Sequence, residues 1–568
     1  MLHLEQQRLN FMRDFALPSD DAITDAAAAP PRAPRAMPVR GLHRMGAAAS
    51  CGPLSGGVRR ARTAFVGLTL TLAAAMVATL AIALEPARAG VAGVVVILAL
   101  FTINALWLSA AASAAVLGAA PVRRLDQPSP GWTPRGRTAV LYLVCGEDPA
   151  MIATNVRLMR RELLRAGLLG PHADIFVLSD TQSPEAVAVE ERALAALLAT
   201  PAIHYRRRDD NTGRKPGNIR DWMQSWGGHY DYLLVMDADS RMSGARVCEL
   251  LHHIEARPRL GLLQTGTRPL SGGSRLTELQ RLSARLAGLT AINGLAHVTG
   301  DAGNFWGHNA VLRSRALAEA GGLPRLSGPA PMGGDLLSHD FVEAAWLRRA
   351  GWAVEIAPEA RGSFEEGPAD MADFRARDRR WCQGNMQHLR LLGARGLHPV
   401  NRLLLASGVM MYLAAPVWLA LVLMLMLDLV AIHSALPFLV SIMVLLSPKA
   451  VAAARWMRGQ SWRRRRVVLR AALQELGLSA LVAPIMMLRQ VQAVGAVALG
   501  HDCGWKGAHR GDLARLPAGA PESAVGVALA ALVLALHSPA MLVWAAPVLV
   551  PLIGAPWVIT WFDRPARG

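Results

Sequence analysis

Tyr232-Leu233-Leu234-Val235-Met236-Asp237-Ala238-Asp239-Ser240 is the stretch on which the reading of this chain turns. Five largely apolar residues run without a charged break, as a strand buried on both faces does, and two carboxylates follow with one residue between them. Open α/β sheets bind ligands in the crevice beyond the carboxyl ends of their strands. Two hard oxygen donors there suit Mg²⁺ or Mn²⁺ held against a diphosphate. Asp237 and Asp239 are therefore candidate metal ligands and catalytic residues. By itself the D-x-D spacing also describes a solvated turn, so its surroundings decide.

Working outward, Thr138–Val144, Asp174–Leu178 and Gly261–Gln264 read as further strands, with amphipathic Ala150–Ala166 and Pro184–Leu198 between them. That alternation predicts an α/β domain with a largely parallel sheet. Cys145-Gly146-Glu147-Asp148 closes the first strand and Leu178-Ser179-Asp180 the second. Lys215-Pro216-Gly217-Asn218 sets a cation beside a glycine turn able to approach phosphate or uracil. Ser338-His339-Asp340-Phe341-Val342-Glu343 opens a helix running to Arg349. Asp340 there is either an N-cap or a general base, the group that glycosyl transfer with inversion needs to take the acceptor proton. In Arg377-Asp378-Arg379-Arg380-Trp381-Cys382-Gln383-Gly384-Asn385, arginines can neutralise a diphosphate and Trp381 can stack on a sugar.

The rest of the chain is of another kind. Of its 568 residues 52% are hydrophobic and only 18% charged, which directs the search to membrane spans. Ala64–Leu84 and Ala89–Val122 carry no charge. Arg59, Arg60 and Arg62 precede the first, and Arg123 and Arg124 follow the second. The positive-inside rule then places the N-terminus and the α/β domain in the cytoplasm. Leu403–Leu427 and Leu429–Ser447 read as a hairpin, Val467–Gly500 as a span or an interfacial segment, and Ser523–Trp561 as two crossings, for six to eight in all. The predicted organisation is a largely disordered cytosolic region (1–60, including the Pro/Ala-rich Ala26–Arg35), two spans (61–122), a cytosolic domain (123–401), and a membrane domain (402–568) with a basic cytosolic loop at 449–470. The net charge of +18 fits an anionic lipid surface, because much of it flanks apolar segments; no zinc-finger, RNP-like or recognition-helix pattern points to nucleic acid. The five cysteines form no C-x-x-C pair, which argues against a zinc site or disulfide framework.

Taken in order, these motifs resemble those of family-2 processive glycosyltransferases such as cellulose and hyaluronan synthases, over roughly residues 135–400 and the flanking helices. Ser338-His339-Asp340 stands where those enzymes carry T-E-D. Arg377-Asp378-Arg379-Arg380-Trp381 stands for Q-x-x-R-W, and Gly303-Asn304-Phe305-Trp306-Gly307-His308-Asn309-Ala310 for their acceptor motif. Such variants resemble the glucan biosynthesis glucosyltransferase H family, although Gly146 replaces an expected Asn and the chain is shorter, chiefly at the N-terminus. The resemblance implies a GT-A-type, Rossmann-like cytosolic domain inserted in a helical transmembrane domain of the bacterial inner membrane. It implies a UDP-glucose-dependent hexosyltransferase that polymerises glucose into the β-1,2-linked backbone of osmoregulated periplasmic glucans, coupled to export. It assigns Glu147, Asp180, Lys215, Asp237 and Arg380 to the donor, Asp180 facing uridine. It assigns Trp381, Trp306 and His308 to the acceptor, and Asp340, Asp239 and Asp237 to catalysis. Implied partners are the growing glucan, periplasmic glucan-processing proteins and acyl carrier protein. Within the enzyme class, a cellulose-like β-glucan synthase or a lipid-carrier glycosyltransferase is the alternative. A transporter fits less well, because only Glu475 and Arg489 interrupt a plausible span. An inert scaffold would be expected to have lost Asp237, Asp239 or Asp340. His501–Arg510, with Gly504-Trp505-Lys506, is either a gating loop over the donor or an amphipathic surface segment.

Overall fold

The computed structural model describes residues 30–42, 55–86, 88–270, 272–504, 517–537, 539 and 541–566. Seven strands form its central sheet: β1 (Thr138–Val144), β2 (Ala173–Ser179), β3 (Ile203–Arg207), β4 (Tyr232–Asp237), β5 (Leu260–Thr265), β6 (Ala310–Arg313) and β7 (Ala353–Ala357). They lie in the order β7-β5-β6-β4-β1-β2-β3, all parallel to their neighbours except β6. The four strands read from sequence are present at nearly the predicted bounds. Edge strand β3 escapes a sequence reading because only Ile203 of Ile203-His204-Tyr205-Arg206-Arg207 is fully buried. Period-two alternation sends Leu233 and Val235 to one apolar layer, with Phe176 and Trp222, and Leu234 and Met236 to the other, with Tyr142 and Ile152. Each such side chain, removed from water, contributes about 1.5–3 kcal/mol.

Register makes the site. Leu143 lies beside Asp237, Val144 beside Ser179 and Ser179 beside Arg207, so β1 to β4 finish level. Antiparallel β6 starts at that same edge, its first residue Ala310 pairing with Val235 and Gln264. The loops after β1, β2, β3 and β4 and the loop before β6 therefore converge.

Helices α1 (Gly56–Ala83) and α2 (Gly90–Gly118) precede the sheet. Within the α/β part, α3 (Arg214–Trp226), α4 (His339–Arg349) and α5 (Met371–Gln387) bear on the site, and α6 (Pro399–Met426), α7 (Leu436–Met457) and α8 (Trp462–Ala498) follow. Five of these, α1, α2, α6, α7 and α8, are long and apolar enough to cross a membrane. The chain is thus a multi-pass membrane protein carrying a separate mixed α/β domain. Met541–Ile553 and Ala555–Asp563, bent by 55°, make a sixth span if taken together. Among the described residues the expected six to eight crossings become five or six, because Ser523–Trp561 resolves into three shorter helices. The ambiguous Val467–Gly500 is, up to Ala498, part of one continuous helix. The expected basic loop at 449–470 is mostly helix: α7 runs through Lys449 to Met457 and α8 starts at Trp462. Inside α7, the Lys449 ammonium meets Glu475 of α8 at 2.8 Å.

The basic flanks reach the α/β domain. Arg62 approaches Asp301 at 3.6 Å, Arg123 approaches Glu355 at 3.8 Å and Arg124 approaches Glu359 at 3.4 Å. The start of α1 and the end of α2 therefore lie on the domain's side. At their opposite ends, Leu84–Pro86 pairs antiparallel with Val430–Ile432, joining the two hairpin links. Gly118 and Gly294 let α2 touch the helix Leu289–Thr299 backbone to backbone: a Cβ on either would stand 1.9 Å from a carbonyl oxygen of the other segment.

One expectation fails at the N-terminus. The Pro/Ala-rich run is ordered from Pro30 on, and Pro30–Leu42 lies extended along the domain. Ala33 and Arg35 N–H groups donate to Ser225 and Met223 carbonyls at 2.9 Å, Arg40 N–H donates to Gly322 at 2.8 Å, and Met37 is buried. Composition reads as disorder because these bonds are made by backbone, which carries no sequence signature. Of the rest of the expected disordered region, 1–29 and 43–54 lie outside the described residues, and 56–60 form the start of α1.

Candidate active site

At the end of β4, Asp237 accepts an ion-paired hydrogen bond from Lys215 Nζ, in the first turn of α3. The following turn is braced from below. Asn155 Nδ2 donates to the Ala238 carbonyl at 2.7 Å, and Arg241 Nε donates to Asn155 Oδ1 at 2.7 Å. Asp239 looks toward Arg377 of α5, whose Nη1 is 3.9 Å away. Asp340, in the first turn of α4, shares the same space. A Cβ on Gly307 would stand 3.6 Å from Lys215 Nζ and 3.7 Å from Asp340 Oδ2. Asp237, Asp239, Lys215 and Asp340 thus converge, from motifs spread over more than a hundred residues.

His308 completes the cluster. Its Nε2 lies 3.1 Å from Glu365, on the short strand Ser363–Glu365, and Thr267 Oγ1 donates to the same carboxylate at 2.7 Å. Gln264, near the end of β5, holds this loop: its Nε2 donates to the His308 carbonyl at 3.0 Å and its Oε1 accepts the Trp306 N–H at 2.9 Å. Trp306 and His308 therefore sit beside the carboxylates. Trp381 stands 48% exposed on α5, one turn beyond Arg377, and has no hydrogen bond to the cluster among the described residues.

Charge in the cluster is unevenly compensated. Burial works against ionisation of Asp237, but Lys215 and His308 outweigh it and hold its pKa below the usual carboxylate range. Asp239 goes the other way: burial and then the Asp237 charge push it up to about 6. Burial would lower His308, but Glu365 and Asp237 push it up to about 9. Asp340 is raised, chiefly by burial.

Two donor candidates are engaged elsewhere. Asp180 is clamped by Arg208, whose Nε and Nη2 each donate to its carboxylate at 2.7 Å, so an internal salt bridge occupies the group expected to face uridine. Arg208 also donates to the Thr212 and Arg214 carbonyls at 3.0 and 3.1 Å, bracing the turn that presents Lys215. Glu147 accepts the N–H of Cys145 in its own loop. Arg380 lies near Arg377, Cys503 and Asp373. Sequence reasoning missed Arg208, Glu365 and Gln264 and left Arg377 unassigned; only Arg377 carried a signal, its place in the arginine-rich motif. Of the expected gating loop, 505–510 lies outside the described residues. Just before it, Gln383 grips the chain: its Nε2 donates to Asp502 at 2.6 Å and its Oε1 accepts the Cys503 N–H at 2.8 Å.

A family model described as glycosyl transferase family group 2 matches residues 232–448, from the first residue of β4 into α7. That match puts residues 232–448 in the class of family-2 glycosyl transferases. Glucans biosynthesis glucosyltransferase H of Vibrio cholerae serotype O1 is 40% identical over 455 residues, and that of Shewanella oneidensis 39% over 452; each match covers 73% of this chain and 62% of the relative. In sequence the chain is similar to the glucans biosynthesis glucosyltransferase H family, and it spans about 62% of the length of the curated relatives it matches. A mannosyltransferase from Pyrobaculum calidifontis, solved with GDP-Man and Mn²⁺, aligns at 14% identity and a TM-score of 0.42, covering 72% of this chain and 97% of that one. That likeness is too slight to bear on the fold or the site.

Proposed function

We propose that this chain is an inner-membrane glucosyltransferase with a GT-A-type, Rossmann-like cytosolic domain. It polymerises glucose from UDP-glucose, with inversion, into a β-1,2-linked glucan backbone and passes the product toward the periplasm. The observation that carries the reading is the convergence of Asp340 with Lys215, Asp237 and Asp239 around Gly307. The relatives named glucosyltransferases support the donor sugar.

In this mechanism Asp340 takes the proton of the acceptor hydroxyl, and that oxygen bonds to the anomeric carbon as the bond to UDP breaks. Burial raises the Asp340 pKa, which strengthens it as an acceptor of the hydroxyl proton. Lys215 and Arg377 flank the diphosphate, while His308, positively charged and fixed by Glu365, adds a third cation at the acceptor side. Asp237 and Asp239 have the oxygen donors that Mg²⁺ or Mn²⁺ prefers, and burial, then the Asp237 charge, raises Asp239 to about 6. Among the described residues no group of three or more His, Cys, Asp or Glu forms a metal cluster; Mg²⁺ commonly takes one or two carboxylates and completes its shell with phosphate and water. The donor set therefore fits such an ion, which would neutralise charge building on the leaving diphosphate. Trp381 and Trp306 offer apolar faces to the glucan. The exposed arginines 463–466 at the start of α8 face anionic lipid headgroups.

Asp340→Asn tests the assignment. UDP release from UDP-glucose should fall on the order of a hundredfold or more while UDP binding stays intact. Near-wild-type turnover would remove Asp340 as the base.

A further inference from the structure

Helix α4, which carries Asp340, starts without the side-chain cap its sequence offers. Ser338 occupies the N-cap position, yet its hydroxyl makes no bond to the first-turn N–H groups. The start of the helix is instead fixed from outside, by the last turn of α5 and the residue after it. Gln387 Oε1 accepts the Leu337 N–H at 3.0 Å, and its Nε2 donates to the Gly333 and Asp335 carbonyls at 3.2 Å. Asn385 Nδ2 lies 3.5 Å from Ser338 Oγ. His388, wholly buried, reaches the Ser338 carbonyl with Nε2 at 3.0 Å. Burial pushes the His388 pKa down to about 4, so the ring is neutral at working pH and the nitrogen on that carbonyl is the one bearing hydrogen.

The approach is close enough to need a glycine. A Cβ at Gly384 would stand 2.4 Å from Ser338 Oγ and 2.5 Å from Ser338 N. Glycine inside a helix is otherwise unfavourable, by roughly 0.5–1 kcal/mol relative to alanine, so its presence in α5 is explained by this contact. The other side of the same turn rests on span α6: a Cβ at Gly408 would lie 2.2 Å from Asn385 Oδ1 and 3.4 Å from His388 Nδ1. A continuous packed path thus runs from α6, through Asn385 and His388, to Ser338 and the helix start that aims Asp340.

We propose that His388 is a positioning residue for Asp340, setting the base against the acceptor by holding the Ser338 carbonyl, with Gly384 permitting the contact. The inference rests on the reading of Asp340 as general base. It makes the turn from Gly384 to His388 the element through which α6 sets the geometry of transfer.

The test uses the full chain in lipid nanodiscs, with UDP release measured against UDP-glucose concentration. His388→Ala should lower kcat about tenfold or more, the scale of loss that a displacement of about 1 Å can produce, while KM for UDP-glucose stays within about twofold. His388→Gln, whose amide can reach the same carbonyl, should restore most of the rate, which a merely space-filling role does not predict. Should His388→Ala fail to accumulate, Gly384→Ala gives the same reading: better helix propensity, unchanged KM and reduced kcat. Wild-type kcat in His388→Ala or in Gly384→Ala overturns the proposal, as does a rise in KM that accounts for the whole loss. Asp340→Asn run in parallel separates the two readings. If it is inactive and His388→Ala is not, only the positioning role fails; if it turns over normally, both fail.

Discussion

Replacing Arg208 by Met should unfold the donor side of the site before it changes any chemistry. The side chains of Arg208 and Asp180 are 10% and 6% exposed, and two hydrogen bonds of 2.7 Å join them. Removing one partner strands a carboxylate in a site that water barely reaches, which costs about 3–5 kcal/mol. At about 2–4 °C per kcal/mol for a domain of this size, the melting midpoint of the α/β part should drop by about 6–20 °C. Intrinsic fluorescence is a suitable probe, because Trp222 and Trp226 lie on α3 close to the turn that Arg208 braces. Asp180→Leu combined with Arg208→Met should recover most of the lost stability, since a buried pair can be replaced by apolar side chains at little cost. Donor affinity should stay low in that double variant, because the Thr212 and Arg214 carbonyls have still lost their donor. An Arg208→Met protein that melts within a degree or two of wild type would refute the clamp. It would also return Asp180 to the role of a free uridine contact.

Arg377→Ala should lower kcat/KM for UDP-glucose about ten- to a hundredfold, the equivalent of losing one charge-assisted bond of about 1.5–3 kcal/mol, and should cost more than Arg380→Ala; steady-state kinetics showing the reverse order would contradict the geometry. Asp378, buried on α5 and accepting from Tyr412 at 3.1 Å, is pushed up to about 6 by burial. Because its folded pKa is raised, the folded state holds its proton longer than the unfolded one, and stability is lost as pH climbs from about 4 through about 6. Asp378→Asn should therefore melt higher than wild type at pH 7.5, by the equivalent of about 1–3 kcal/mol, and alike at pH 4, in thermal scans at the two pH values. Chelating divalent cations should abolish UDP release, and Mg²⁺ or Mn²⁺ should restore it in the wild type but not in Asp239→Asn.

What the sequence disclosed follows from locality. Asp237 and Asp239 are legible because an uninterrupted apolar strand ends on them, and strand ends in such sheets face ligands. Asp340 and Arg377 are legible as parts of short motifs whose chain order is itself informative. Spans α1, α2 and α6 announce themselves by length without charge, whereas α8 does not, because Glu475 and Arg489 interrupt it and find their partners only in space, at Lys449 and Glu522. Long-range pairs leave no local trace. Nothing near Arg208 in sequence points to Asp180, nor near Glu365 to His308, nor near His388 to Ser338. The Pro30–Leu42 strap is the sharpest case: its residues look like a linker, and their backbone is tied to α3 and to Gly322. Lys215 and Arg377 are legible as cations in their own motifs, but that Lys215 meets Asp237 and Arg377 approaches Asp239 comes only with the fold.

The most direct test is to incubate the purified full chain with Mg²⁺ and radiolabelled UDP-glucose or UDP-N-acetylglucosamine, then size the product and determine its linkage. A β-1,2-linked glucan made from UDP-glucose alone is the predicted result. Transfer of a single sugar to lipid, a β-1,4 polymer, or product only from UDP-N-acetylglucosamine would contradict it.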